Sequence, residues 1–165
     1  MIRAGIYGAT GYTGLELVKL LQRHPAADIA FVASQSQAGK SLRAVFPGAP
    51  GLPLVATEDA PLDAADVVFL CLPHAAAAET AVVALAEGKR VIDLSADFRL
   101  RDAATYAHWY AHTHPAPDLL AEAVYGLTEV YRADLPGARL VANPGCYPTS
   151  VLLAIRPLLL SDIPL

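Results

Sequence analysis

Seven residues near the start of the chain, Gly8-Ala9-Thr10-Gly11-Tyr12-Thr13-Gly14, restrict its possible folds more than any other feature. Before them stands a short apolar run, Ile2 to Tyr7, with the character of a strand. After them Leu17, Leu20 and Leu21 recur at helical spacing until Pro25 stops the pattern. A glycine loop between a strand and a helix is the context that a dinucleotide fingerprint requires. The spacing here, G-x-x-G-x-x-G, is a relative of G-x-G-x-x-G. Glycine permits the tight turn, and its missing side chain lets the backbone approach a pyrophosphate. The helix N-terminus then meets that anion with free N–H groups and the positive end of its dipole. Gly8, Gly11 and Gly14 are therefore candidate cofactor-binding residues, with Tyr12 beside them and Thr10 and Thr13 as hydroxyl donors. A glycine-rich turn without a ligand would have the same composition, but the flanking strand and helix argue against it.

The rest of the chain repeats the alternation. Ile29 to Ala33 is a second strand, and Val67-Val68-Phe69-Leu70-Cys71-Leu72, without a polar interruption, reads as a strand covered on both faces. Pro73 ends it, and Ala75 to Glu87 has strong helix propensity, with Gly88 suited to the left-handed position that follows. Val91 to Leu94 and Leu140 to Ala142 are further strands. Thr149 or Ser150 is placed to cap a last helix through Ile155. Residues 96 to 137 are irregular and read as an insertion carrying short helices. The pattern predicts an α/β chain: a Rossmann-like, doubly wound, mostly parallel sheet with an irregular insertion.

Composition narrows the function classes. With 55% hydrophobic residues and 17% charged, the chain has the means to build a core, which excludes disorder. Twelve Lys and Arg against sixteen Asp and Glu give a formal charge of -4, and no basic run stands out. Nucleic acid and anionic membrane surfaces are thus not expected partners. The longest apolar stretches are broken at Glu79 and at Arg156-Pro157, short of a membrane span. Two cysteines are too few for a disulfide framework, and a cytoplasmic location is expected.

The end of the second strand bears on which dinucleotide binds. The acid that holds an unphosphorylated ribose normally lies about 20 residues past the loop. Here that region is Ser34-Gln35-Ser36-Gln37-Ala38-Gly39-Lys40, without a carboxylate. Ser34, Ser36 and Lys40 offer two hydroxyls and a charge to a 2′-phosphate, which favours NADP over NAD.

Cys146 occupies a strand-to-helix junction, Asn143-Pro144-Gly145-Cys146-Tyr147-Pro148-Thr149. A thiol there faces unpaired N–H groups and the positive end of a dipole, both of which favour thiolate. Beside a nicotinamide, such a sulfur can attack an activated acyl carbon and hold the product as a thioester, while the same N–H groups steady the oxyanion. Free cysteine is otherwise a small buried hydrophobe, and Cys71, inside an apolar strand, is read that way. His108, His112 and His114 lie close together, the first two at i, i+4, but no further ligand pattern completes a metal site, and none is expected.

Taken together, five motifs resemble the N-terminal part of N-acetyl-gamma-glutamyl-phosphate reductases, within the aspartate-semialdehyde dehydrogenase-like superfamily. They are Gly8 to Gly14, Leu72-Pro73-His74, Asp93-Leu94-Ser95-Ala96-Asp97-Phe98-Arg99-Leu100, Val124-Tyr125-Gly126-Leu127, and Gly145 to Thr149. The resemblance implies Cys146 as nucleophile, Pro73, His74 and Ser95 lining the cofactor cleft, and Arg99 holding an anionic acyl-phosphate substrate. It implies NADP-dependent reduction of N-acetyl-L-glutamyl 5-phosphate to the 5-semialdehyde, in arginine biosynthesis. The chain departs from the family pattern at Thr128, where proline is usual, and at Gln35, where a basic residue is common. Family members continue into a second catalytic and dimerisation domain that carries a histidine. We therefore expect residues 1–148 to form the dinucleotide-binding domain and 149–165 to begin a helix leading into a second domain that is absent here. Little turnover by these residues alone and a homo-oligomeric full-length protein are expected. A non-catalytic dinucleotide module, or aspartyl-phosphate reduction on the same scaffold, are the alternatives.

Overall fold

The computed structural model describes residues 1–161, and seven strands in it form one sheet in the order β3-β2-β1-β4-β5-β7-β6. The strands are β1 (Ile2–Tyr7), β2 (Ala27–Ala33), β3 (Leu54–Val55), β4 (Val67–Leu70), β5 (Arg90–Asp93), β6 (Val124–Tyr125) and β7 (Leu140–Ala142). Every pairing between them is parallel. The chain winds outward from β1 through β2 to β3, then restarts on the other side with β4. Neighbouring β1 and β4 thus mark a topological switch point, the place where such sheets open a crevice at the strand C-termini.

Helix α1 (Tyr12–Leu21) packs Leu15 and Val18 on one face of the sheet, against Ile6, Val32, Leu42 and Leu54. The helical period is as expected, but the stripe is rotated: Leu20 is exposed, and Leu17 and Leu21 are only half-buried. Helix α3 (Ala76–Ala86) covers the opposite face with Ala77, Ala78, Ala81, Ala84 and Leu85, against Val68, Leu70 and Val91. Alanine is the best helix former and also lets the helix axis lie close to the strands, so a larger side chain at Ala81 would overpack the contact by about 1–3 kcal/mol.

Strand β4 corrects one expectation. Val68 and Leu70 are buried under α3, whereas Val67 and Phe69 are half-buried on the other face. With Ile92 and Val141 they line a groove of about 720 Å³. An unbroken apolar run carries no information about which face receives cover.

The insertion holds α4 (Ala103–Tyr110), α5 (Thr128–Tyr131) and β6, the short α2 (Leu42–Val45) lying earlier in the chain. His108 and His112 do not share a helix face. Ala111 turns left-handed at φ +51 and ends α4, so His112 lies beyond it. The last helix, α6, spans Cys146–Leu159. It starts three residues before Thr149, so the expected boundary at 148/149 falls within its first turn, and residues 162–165 of the expected segment lie outside the described ones. Pro148 sits in that first turn, where its missing N–H has no helical partner to lose. Pro157 lies inside the helix near its end, and the helix continues past the expected stop at Ile155. No helix among the described residues is long and apolar enough to cross a membrane.

Candidate functional site

The glycine loop leaves β1 with Gly8 at φ +74, and the Gly8 and Ala9 N–H groups both donate to Ala33 O at 3.0 Å, tying the loop to the end of β2. A Cβ on Gly8 would stand 2.1 Å from Cys71 O, so the loop presses against the end of β4. A Cβ on Gly14 would stand 2.4 Å from Gly8 O and 2.7 Å from Ala9 Cα. Loop and helix are therefore in backbone contact that only glycine allows. Gly11 is the N-cap of α1 and gives no side-chain cap, which leaves first-turn N–H groups of Tyr12, Thr13 and Gly14 to meet an anion. Tyr12 and Thr13 are exposed above them. The residues present fit a pyrophosphate.

Thr10 and Ser34 are not both open to a ligand. Their hydroxyls share a hydrogen bond of 2.6 Å, and Ser34 is buried. Ser36 is exposed in the single 3-10 turn that follows β2. Lys40 reaches back to Gln37 Oε1 at 2.9 Å. The sequence reading missed a carboxylate here: Glu58, from the loop after β3, meets Gln35 Nε2 at 3.4 Å, while Thr57 N–H donates to Gln35 Oε1 at 3.1 Å. Glu58 is remote in sequence from the second strand, so no spacing rule could find it.

Across the switch point, Pro73 and His74 are exposed at the end of β4. Ala96 N–H donates to His74 Nδ1 at 3.4 Å, a long bond. Ser95 is placed otherwise than expected. It is buried, its N–H and hydroxyl both donate to the Asp93 carboxylate at 2.9 Å, and its oxygen accepts from Asp97 N–H at 3.1 Å. It supports the loop from behind. Burial pushes the Asp93 carboxyl up to about 6, against the opposing effect of the two Ser95 bonds.

Arg99 is half-buried, and its guanidinium bridges two strand ends: Nε donates to Asn143 O at 2.6 Å and Nη2 to Leu94 O at 3.1 Å. It thereby underpins the turn Asn143-Pro144-Gly145. Gly145, at φ +87 and ψ 163, caps α6, and Cys146 is the first residue of the helix and exposed. Among the described residues no side chain caps the start of α6, and Pro148 carries no N–H, so Cys146 and Tyr147 supply the uncapped donors of the first turn. Arg99, Cys146 and Thr13 line one groove of about 860 Å³, together with Asn143, Leu94 and the Gly126–Glu129 segment. The structure thus brings Thr13 of the glycine loop and the exposed thiol to one opening with Arg99 in its wall, while Pro73, His74 and the loop glycines do not line it.

Cys71 differs. It is half-buried, and burial, with the nearby Asp93 charge, pushes its thiol up to about 12. His114 is buried between the Asp97 carbonyl, 3.0 Å from Nε2, and Ala116 N–H, which donates to Nδ1 at 3.0 Å. Both ring nitrogens are engaged, and among the described residues no three metal-ligating side chains gather.

Comparison with known proteins gives a consistent result. The model of a family described as semialdehyde dehydrogenase, NAD binding domain, matches residues 3–138. The chain is 53% identical to the N-acetyl-gamma-glutamyl-phosphate reductase of Symbiobacterium thermophilum, over 98% of this chain and 47% of the relative. It is 51% identical to the protein of that name from Neisseria meningitidis serogroup C, over 96% of this chain and 46% of the relative. The chain spans about half the length of the curated relatives it matches. In fold it is similar to aspartate semialdehyde dehydrogenase II from Vibrio cholerae complexed with ASA, with TM-score 0.70 and 23% identity over 96% of this chain and 46% of that one. The Candida albicans aspartate semialdehyde dehydrogenase solved with NADP gives TM-score 0.67 and 18% identity, over 96% of this chain and 47% of that one.

Proposed function

The chain belongs to the semialdehyde dehydrogenase NAD-binding-domain family, and from that premise we propose that it carries the dinucleotide site and the nucleophile of an NADP-dependent N-acetyl-gamma-glutamyl-phosphate reductase. The substrate is N-acetyl-L-glutamyl 5-phosphate and the product its 5-semialdehyde, a step of arginine biosynthesis. One observation carries this reading: Cys146 and Thr13 of the glycine loop line the same groove. The names of the half-identical relatives support the substrate class.

The Cys146 sulfur attacks the 5-acyl carbon. A carbon–sulfur bond forms, the bond from that carbon to the phosphate oxygen breaks, and phosphate leaves. The Cys146 and Tyr147 N–H groups face the oxyanion of the tetrahedral intermediate. Arg99 has two donors committed to Asn143 O and Leu94 O, and its Nη1, without a hydrogen bond among the described residues, is the donor we assign to the leaving phosphate. Held with its pyrophosphate on the first-turn N–H groups of α1, NADPH would supply the hydride for reduction of the thioester. The Cys146 thiohemiacetal then gives up its hydroxyl proton as its carbon–sulfur bond breaks, releasing the semialdehyde and the Cys146 thiolate. That proton transfer needs an acid/base group, and no histidine lines this groove among the described residues. We therefore expect these 165 residues alone to bind dinucleotide and to turn over slowly at most. In keeping with the resemblance, the whole enzyme is proposed to be a homo-oligomer.

The thioester is testable without turnover. Incubation with the acyl phosphate and no dinucleotide is expected to add an N-acetylglutamyl mass to Cys146, removable by hydroxylamine and lost in Cys146→Ala. Acylation by aspartyl phosphate instead would move the substrate assignment, and no acylation by either would leave a dinucleotide module. The preference for NADP rests on Ser36 and Lys40 at the end of β2. Glu58 favours the opposite reading, in which a carboxylate repels the 2′-phosphate. Titration with NADPH and NADH decides between them: tighter NADPH is expected, and equal or tighter NADH assigns that edge to Glu58.

A further inference from the structure

We propose that Asp97 is a positioning residue for the dinucleotide cleft: it holds the Pro73–His74–Ala75 turn in the shape that meets the glycine loop. This role rests on the dinucleotide reading of the cleft. Asp97 touches no part of the opening itself. Its side chain is fully buried, and His74 Nδ1, on the turn itself, stands 4.0 Å from its Oδ1. Its Oδ1 accepts from Ala75 N–H at 3.1 Å and from the Tyr106 hydroxyl at 2.8 Å, and its Oδ2 accepts from Ala78 N–H at 3.0 Å.

The two amides belong to the start of α3, a helix whose own N-cap is Ala75 and offers no side-chain acceptor. Asp97 thus caps that helix from 19 and 22 residues away in the chain. Ala75 adopts φ +68 and ψ −49, which an L-residue with a Cβ rarely does. Such a turn persists only where its surroundings over-determine it, and the Asp97–Ala75 bond does so together with Ala77 N–H on Pro73 O at 3.3 Å and Ala96 N–H on His74 Nδ1 at 3.4 Å. The turn matters because of where it lies. Pro73 and His74 are exposed on it, and the neighbouring Cys71 carbonyl stands against Gly8 at the place a Cβ would occupy. A shift of this turn would move one wall of the switch-point crevice relative to the other. Asp97 is itself held from behind, since its N–H donates to Ser95 Oγ, which donates to Asp93.

The experiment uses the full chain with Asp97→Asn, Ala75→Gly and the double variant, reading NADPH affinity by nicotinamide fluorescence and amide exchange residue by residue. An amide NH₂ cannot accept the bonds that the second carboxylate oxygen accepts. Asp97→Asn is expected to weaken NADPH binding about tenfold and to speed exchange at Ala75 and Ala78 by a similar factor, with Val68 to Leu70 still protected. Ala75→Gly in that background is expected to recover about threefold of the affinity, because glycine takes positive φ without outside restraint. A merely structural role would lower stability but leave the affinity of the folded protein unchanged, and that result would overturn the proposal. Should Asp97→Asn fail to fold, Tyr106→Phe removes one bond from Oδ1. It is expected to weaken NADPH binding and speed Ala75 exchange at least about twofold, unchanged values overturning the role. A wild-type chain that binds neither NADPH nor NADH would overturn the dinucleotide reading and this role with it. Wild-type binding with an unaltered Asp97→Asn affinity would overturn the positioning role alone.

Discussion

Replacing Gly145 with alanine tests the link between Arg99 and the turn that presents Cys146. Two costs add. At φ +87 and ψ 163 the backbone lies in a region almost confined to glycine, and an alanine held there costs about 1–3 kcal/mol. The new Cβ would also stand 3.0 Å from both terminal guanidinium nitrogens of Arg99 and 3.1 Å from its Cζ. That group cannot swing away freely, because it is fixed to Asn143 O at 2.6 Å and to Leu94 O at 3.1 Å. Breaking one charge-assisted bond costs about 1.5–3 kcal/mol when the acceptor stays dry, and about 1 kcal/mol where solvent reaches the half-buried side chain.

Gly145→Ala should therefore lose about 2–4 kcal/mol in urea denaturation, with an unchanged slope. Arg99→Ala separates the two costs. In its background the backbone cost of Gly145→Ala remains and the contact vanishes, so the double variant should be more stable than the sum of the single losses predicts by about 1 kcal/mol. Iodoacetamide labelling of Cys146 should change in rate in both single variants, since both move its turn. A Gly145→Ala chain within about 0.5 kcal/mol of wild type would refute the reasoning, because neither the strained backbone nor the guanidinium contact could then be real.

The glycine loop predicts a contrast between neighbouring positions. Gly14→Ala sets a Cβ 2.4 Å from Gly8 O and should weaken NADPH binding by about tenfold or more, whereas Gly11→Ala, with its nearest atom at 3.5 Å, should be mild; equal effects would deny the loop–helix contact. The two thiols should separate by alkylation at pH 8. Peptide mapping should find Cys146 labelled and Cys71, whose thiol burial pushes up to about 12, untouched, and comparable labelling would place Cys71 wrongly. Stability should also carry the mark of Asp93. Its carboxyl lies at about 6 in the fold against an ordinary 3.8, so between those values the folded chain binds more protons than the unfolded one, and stability falls as pH rises through that window. The wild type should lose up to about 3 kcal/mol there relative to Asp93→Asn, and parallel curves would refute the assignment.

What the sequence discloses depends on how far apart the interacting residues stand. The glycine loop, α3 and the strands at Val67, Val91 and Leu140 are local patterns and are present, although β4 ends at Leu70, short of the expected Leu72 before Pro73, and β5 spans Arg90–Asp93 instead of Val91 to Leu94. Strands β3 and β6 have two residues each, too few for any alternation to register, and they exist because a neighbouring strand offers a parallel edge. The helix start at Cys146 rather than Thr149 turns on Gly145, whose positive φ no residue type announces from outside. Ala75 is the stronger case. Nothing in an alanine-rich helix start indicates a left-handed alanine, and the reason for it lies 22 residues later in Asp97. Ser95 was legible as part of a site-bearing motif, but not the direction in which its hydroxyl turns.

That motif explains how one short segment can govern two turns. Asp93, Ser95, Asp97 and Arg99 are spaced by two, and each hands on a different constraint. Asp93 closes β5 and anchors Ser95, Ser95 accepts from Asp97 N–H, Asp97 fixes the turn after β4, and Arg99 fixes the turn after β7. Strand β5 lies between β4 and β7 in the sheet. The segment leaving its C-terminal end is therefore the part of the chain that can reach both neighbours at once. The His74 turn and the Cys146 turn are built on non-adjacent strands, and their spacing would otherwise rest on short ladders alone. Four polar side chains hydrogen-bonded inside the protein give that spacing a stiffness which apolar packing, tolerant of small slides, does not supply. It follows that loosening Asp97 and loosening Arg99 should disturb different turns, the one after β4 and the one after β7, the first acting on dinucleotide affinity and the second on thiol reactivity. Variants of the two should combine additively in each readout, because their bonds share no acceptor.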